Sequence, residues 1–303
     1  MFKRLLLAAV LAVSATGVAA EGRVTLGWGR IFTNDQIGDS KDRWRSGSYT
    51  VSRVRGPSWH GYEALAFGDL LEFRGHAAVI APDNLTAPAV GDRRYAGLLS
   101  LGMNTHFGWK AAEVGLGAEL AMTGPRTGIG SFQRWFHELA GMVPPSAGTL
   151  GNQIGNHLYP GLNAEIGRSY DLGGLRARPF AEARVGVESL VRVGADFTFG
   201  ALGRDDLMLR DVTTGLRYRG VAGRRDEGLS LTVGGDLAHV FDTALLPSGG
   251  AAVAEDARYR LRAGVQWQGK RAAAFYGVSY LSREFTGQPE GQLVGALSLN
   301  LRF

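Results

Sequence analysis

The chain contains no cysteine in its 303 residues. Disulfides, thiol nucleophiles and cysteine-based zinc sites are therefore out of consideration. Beyond Ala20 there is no run of about 18 apolar residues, which disfavours helices that cross a membrane. Charge of one sign is scarce: Lys and Arg total 33 against 28 Asp and Glu, a formal net charge of +5. Two of those positive charges, Lys3 and Arg4, lie in a segment expected to be removed, so no basic block remains for nucleic acid and none is expected as a partner. Overall apolarity is also low, with a mean hydropathy of −0.04. A membrane protein can still have that value if it crosses as strands, because outward apolar residues are diluted by inward polar ones.

What is present begins with an export signal. Lys3 and Arg4 precede the apolar run Leu5 to Val13, and Val18-Ala19-Ala20 offers small residues for cleavage before Glu21. Residues 1–20 read as a signal peptide and residues 21–303 as the mature domain. At the other end, Leu293, Gly295, Leu297, Leu299, Leu301 and Phe303 share one face of a period-two strand, with Ser298, Asn300 and Arg302 on the other. One face suits lipid and the other water. A final aromatic after such a run resembles the last strand of bacterial outer-membrane barrels, although a soluble β-domain of about 280 residues is also compatible with the length.

Alternating or β-rich segments recur at 23–33, 46–54, 61–75, 94–107, 109–123, 156–169, 174–189, 190–200, 228–242, 256–269, 271–284 and 291–303. The expected fold is all-β, a transmembrane antiparallel β-barrel of about 12 strands with a short helix in an outer loop. If the barrel, like outer-membrane barrels in general, starts and ends on the periplasmic side, residues 34–45, 76–93 and 124–155 share the outer end. Residues 201–227 break the pattern, being long where a short turn is expected. A pair of strands around Val212 to Arg219 would account for this and would change the count.

The third outer connection predicts a helix. Phe132, Trp135, Phe136 and Leu139 fall at helical spacing, Ser131 can cap the start, and Gly141 with Pro144-Pro145 ends it. Gln133 and His137, four apart, project from one flank beside the aromatic stripe. The helix reads either as a plug or lid on the rim or as a catalytic element. His137 correspondingly reads as a packed or solvated imidazole, or as a base that takes a proton from water near neutral pH.

The first outer connection, from Asn34 to Gly47, is rich in hard oxygen donors. Asp35, loop carbonyls and a substrate oxygen could hold Ca²⁺, with Asp39 or Asp42 assisting, but the same residues also build ordinary turns. Ser46 reads as a strand-starting hydroxyl, a hydrolase nucleophile, or a group that orients substrate or histidine. No Gly-x-Ser-x-Gly elbow surrounds it.

Taken in order, Asn34-Asp35, Asp42-Arg43-x-x-Ser46-x-Ser48-Tyr49, Gly91-Asp92-Arg93-Arg94-Tyr95-Ala96-Gly97, Gly124-Pro125 and Gln133-x-x-x-His137 resemble the lipid A 3'-O-deacylase family of Gram-negative outer membranes. The resemblance runs from about Arg23 to Phe303, with its specific motifs before Asn156. It implies a twelve-stranded barrel in the cell outer membrane acting as a calcium-dependent esterase on lipid A of lipopolysaccharide. By motif position it implies catalytic roles for His137, Asn34, Asp35, Ser46 and Gln133, with Asp35 on the metal. Two departures stand out: Gln36 occupies a position that is often acidic, and His157 follows the Gln153-x-x-Asn156 motif where an acid is usual. Arg43, Arg45, Arg93, Arg94 and Arg134 are expected to meet lipid A phosphates or the anionic surface in general. The competing expectations are a non-enzymatic porin-like barrel and a serine-dependent outer-membrane phospholipase.

Overall fold

Exposed apolar side chains alternate with buried polar ones along the strands, the inverse of a water-soluble domain. In β13 (Ala257–Gln268), Tyr259, Leu261, Val265 and Trp267 are exposed while Arg260, Arg262, Gln266 and Gln268 are buried. Such a strand turns its apolar face to lipid and its polar face to a lumen. The computed structural model describes residues 22–62, 65–223 and 226–301. The expected signal peptide, Arg302 and Phe303 lie outside these residues.

Twelve long strands close into an antiparallel ring. They are β1 (Val24–Asn34), β2 (Trp44–Gly56), β3 (Leu70–Ala81), β4 (Ala96–Trp109), β5 (Ala112–Thr123), β6 (His157–Gly167), β8 (Leu175–Val185), β9 (Glu188–Phe199), β12 (Gly228–Thr243), β13, β14 (Ala272–Leu281) and β15 (Gln292–Leu301). Pairing of β1 with β15 and of β6 with β8 leaves the ring without a free edge. The short β7 (Tyr170–Leu172) extends a hairpin with β8. The third strand begins at Leu70 rather than near residue 61, because residues 57–62 and 65–69 are irregular.

The long inner connection resolves differently from a change of strand count. Residues 207–210 (β10) and 217–221 (β11) form a hairpin of their own that pairs with no barrel strand. Leu207, Leu209, Leu216, Tyr218 and Val221 are buried with Ile31, Val54, Leu70 and Phe275 from the wall. The hairpin therefore packs inside the ring. Its close approach requires glycine at position 27, where a Cβ would lie 2.2 Å from the Gly220 carbonyl oxygen.

Around the hairpin the lumen is filled by ion pairs. Asp196 accepts from Arg210 at 2.8 Å and from Arg262 at 2.9 Å, and Glu72 accepts from Arg74 at 2.7 Å, Ser52 at 2.6 Å and His106 at 2.9 Å. Among these, each buried charge has an opposite partner, which such a buried position requires.

Candidate active site

The connections 35–43, 82–95 and 124–156 all emerge at one end, as strand parity requires. There a helix, α1 (Ile129–Ala140), lies against the outside of the wall. Gly97 allows this contact, since a Cβ there would sit 2.6 Å from Thr127 Oγ1 and 2.8 Å from Ile129 Cβ. Gly128, with φ of 73°, caps the start and Gly141, with φ of 68°, ends the helix. Ser131 falls inside the first turn, so it is not the cap. The buried face of α1 carries Gly130, Gln133 and His137, while Phe132, Trp135, Phe136 and Leu139 are exposed. The aromatic stripe faces away from the protein and the polar flank faces the wall, which excludes a lid packed by its apolar side.

Asp42 is the hub of the buried cleft. His137 Nε2 lies 3.1 Å from Asp42 Oδ2, Ser46 Oγ donates to Asp42 Oδ1, and Gln133 Nε2 reaches the same oxygen at 3.5 Å. On its other side His137 Nδ1 donates to the Val143 carbonyl at 2.7 Å. That bond fixes the tautomer and leaves Nε2 as the proton-accepting nitrogen. Ser46 reaches the cleft through a β-bulge between Trp44 and Gly47. Its neighbour Arg45 turns the other way, its guanidinium bonding Glu188 and Glu284 in the lumen.

Asp35 sits at the edge of the same cleft in a 3₁₀ turn, Asp35–Ile37. Its carbonyl accepts from Gly38, Asp39 and Ser40, and its Oδ2 accepts from the Arg43 N–H at 2.7 Å and Gln292 Nε2 at 3.2 Å. Asp35 Oδ1 is buried without a partner. Burial pushes its carboxyl up to about 8; the Arg43 N–H opposes this, and the Asp42 and Asp39 carboxylates add to it. Asn34 caps the turn by accepting the Gln36 N–H at 2.7 Å. No hydrogen bond joins it to His137, so the structure gives Asn34 a local turn-building contact rather than one with the histidine.

The structure thus brings His137, Gln133 and Ser46 together on Asp42, with Asp35 and its capping Asn34 alongside. Two members were not singled out from sequence for these roles. Asp42 had been noted only as an assistant to a metal, and Gln292 had no signal at all. Gln292 Nε2 donates to Asp35 and to the Arg43 carbonyl at 2.6 Å, while its Oε1 accepts the Arg45 N–H at 3.1 Å. The expected arginines are engaged by the protein itself. Arg43 pairs with Asp83 and Glu290, Arg93 pairs with Glu284, Arg94 donates to the Asn152 and Gln153 carbonyls, and Arg134 donates to the Pro145 carbonyl. In the 153–156 motif, Gln153 donates to the Leu150 carbonyl and Asn156 accepts the Arg126 N–H, so both tie down the loop.

The oxygen donors at this edge suit a hard dication. Asp35 Oδ1 and Asp39 Oδ1 are buried and unpartnered. Among the described residues, however, no three His, Cys, Asp or Glu side chains converge to hold a metal. Carbonyls, water or substrate would have to complete a shell of about six to eight oxygens. A cavity of about 810 Å³ opens at the opposite end, lined by Trp59, Tyr62, Trp109, Glu113, Arg178 and Arg217. It contains none of the cleft residues, and its acids and arginines pair with one another, as Arg178 does with Glu113 at 2.6 Å.

A closed antiparallel barrel with an apolar exterior and a filled lumen defines the class: an outer-membrane β-barrel protein. The chain belongs to the family described as outer membrane protein LpxR, whose profile matches residues 5–303. Its fold is similar to that of LpxR from Salmonella typhimurium, with a TM-score of 0.72 at 17% identity over 91% of this chain and 100% of that one. A KdgM porin aligns at a TM-score of 0.40 and 8% identity, covering 91% of this chain and 98% of its own. No curated protein sequence matches the chain.

Proposed function

We propose that this protein is an outer-membrane carboxylic ester hydrolase that removes the 3'-linked acyloxyacyl group from lipid A, using a water activated by His137. The observation that carries the reading is the position of His137. Its Nε2 faces Asp42 in a cleft between α1 and the outer wall, on the side where a lipid substrate lies. The exposed stripe of Phe132, Trp135, Phe136 and Leu139 supports it, because a helix with that outer face sits among acyl chains rather than in water. The family resemblance supplies the substrate class.

In this mechanism the 3.1 Å contact between His137 Nε2 and Asp42 opens to admit a water at Nε2. As the water oxygen bonds to the ester carbonyl carbon, Nε2 takes one of its protons. The imidazolium stays held between the Val143 carbonyl and the Asp42 carboxylate. When the carbon–oxygen bond to the sugar breaks, Nε2 returns the proton to the departing alkoxide, giving a fatty acid and a free hydroxyl. Ser46 and Gln133 fix the rotamer of Asp42 and so the direction from which it holds the ring. Asp35, with Asp39 alongside, would hold Ca²⁺, and the bound ion would supply Lewis-acid polarisation of the ester carbonyl.

A serine mechanism is less well supported, since Ser46 donates to Asp42 and no hydrogen bond joins it to His137. A pore is less well supported because the hairpin occupies the lumen. The test is mass spectrometry of lipid A incubated with purified protein and calcium. Loss of the 3'-acyloxyacyl mass that disappears in His137→Ala supports the reading. Unchanged lipid mass together with ion conductance in planar bilayers would replace it with a pore, and a trapped acyl-enzyme on Ser46 would replace it with a serine hydrolase.

A further inference from the structure

Tyr95 immediately precedes β4 and is 1% exposed, yet its hydroxyl has no hydrogen-bond partner. Apolar neighbours hold the ring: Ala81 and Leu85 are buried with it, and Val79 and Leu150 pack against the cluster. Its backbone carbonyl is anchored by the Ile154 N–H at 2.8 Å. The ring lies directly beneath α1, since a Cβ on Gly130 would be 3.5 Å from Tyr95 Cε1. Gly130, Gln133 and His137 form the one buried face of that helix, so Tyr95 lies beneath its first turn, about one turn from Gln133 and two from His137 along the same cleft. Burial raises the pKa of the phenol, and the nearby Asp42 carboxylate adds to that, so the hydroxyl keeps its proton.

A buried hydroxyl with nothing to bond destabilises a fold, and phenylalanine would fill the same space without that cost. Its neighbours in the cleft sharpen the point. Two other unpartnered atoms on the His137–Asp42 side of the cleft, Asp42 Oδ2 and Gln133 Oε1, are acceptors, so Tyr95 brings an uncharged O–H donor beside them. Ester hydrolysis needs such a donor, because negative charge develops on the carbonyl oxygen as water adds.

We propose that Tyr95 is a further catalytic residue: its hydroxyl donates a hydrogen bond to the carbonyl oxygen of the scissile ester as that oxygen becomes negative. This rests on the hydrolase reading above. No proton is transferred, and the phenol remains protonated throughout.

The test compares wild type, His137→Ala and Tyr95→Phe on lipid A with calcium, reading kcat, KM, pH profile and thermal midpoint in detergent. The expected result for Tyr95→Phe is a fall in kcat of about 10²-fold, with KM and the pH profile unmoved. Its thermal midpoint should be equal to or above that of wild type. Wild-type rate in Tyr95→Phe, with His137→Ala silent, would overturn this proposal and leave the hydrolase reading intact. A shifted pH profile would also overturn it, placing the phenol's effect on the His137–Asp42 pair instead. An inactive wild type would overturn both.

Discussion

In the lumen, Asp236 meets Arg260 through two bonds at 3.0 Å, Arg192 at 3.0 Å and Arg262 besides. In the cleft beneath α1, Asp35 Oδ1, Gln133 Oε1 and the Tyr95 hydroxyl have no partner. Both regions are buried and polar, but their carboxylates differ in completeness: Asp236 is saturated by guanidiniums, while Asp35 Oδ1 is left open. A carboxylate ringed by guanidiniums has no capacity left for a substrate, so the lumen is scaffold. Groups buried without partners are costly in a fold and are retained where a ligand completes them. The same contrast explains why the ion-paired cavity at the opposite end is not the candidate site.

The largest expected effect comes from removing the base. His137→Ala should lower kcat by about 10² to 10⁴-fold while the barrel still folds, measured as initial rate per mole of folded protein. Removal of calcium with a chelator should give a loss that added calcium restores, and Asp35→Asn should raise the calcium concentration needed for half-maximal rate. If Asp35→Asn leaves that concentration unchanged, Asp35 is not the ligand. The lumen should respond in the opposite sense. Asp236→Ala leaves three buried arginines short of a partner and should destabilise the barrel by about 3–5 kcal/mol, with the rate per folded molecule unchanged. A variant of either residue that altered both properties equally would break the distinction between scaffold and site.

Much of this arrangement could be read from the chain. Period-two alternation located the wall strands, and the spacing of Gln133 and His137 beside an aromatic stripe put both on one flank of α1. The inner hairpin was ambiguous because Leu207, Leu209, Tyr218 and Val221 look like wall residues, and only their pairing separates them. The start of β3 was misplaced because Glu72, Arg74 and His76 face the lumen and dilute the apolar signal of their neighbours. Gln292 was invisible for another reason: it reaches Asp35 across 257 residues of sequence, a contact that exists only when β15 closes on β1. The helix orientation also could not be inferred, since an aromatic stripe packs inward in water and outward in lipid.

The smallest expected effect tests whether the outer rim belongs with the lumen or with the cleft. Glu284, in the connection between β14 and β15, bonds Arg45 and Arg93. Burial opposes its ionisation, but Arg45, Arg93 and Arg258 outweigh that and hold its carboxyl down at about 2, from an ordinary value of 4.5. A pKa depressed in the folded state gives stability that is complete above the unfolded value and disappears as pH falls through the folded one. Wild type should therefore lose about 1–3 kcal/mol of stability between about pH 4.5 and about pH 2 from this group. Glu284→Gln should flatten that part of the profile, read as thermal midpoint against pH, and leave the rate near neutral pH unchanged. A drop in rate instead would mean that the Arg45–Glu284–Arg93 cluster, one residue from Ser46 on one side and two from Tyr95 on the other, holds the cleft in shape rather than only closing the barrel.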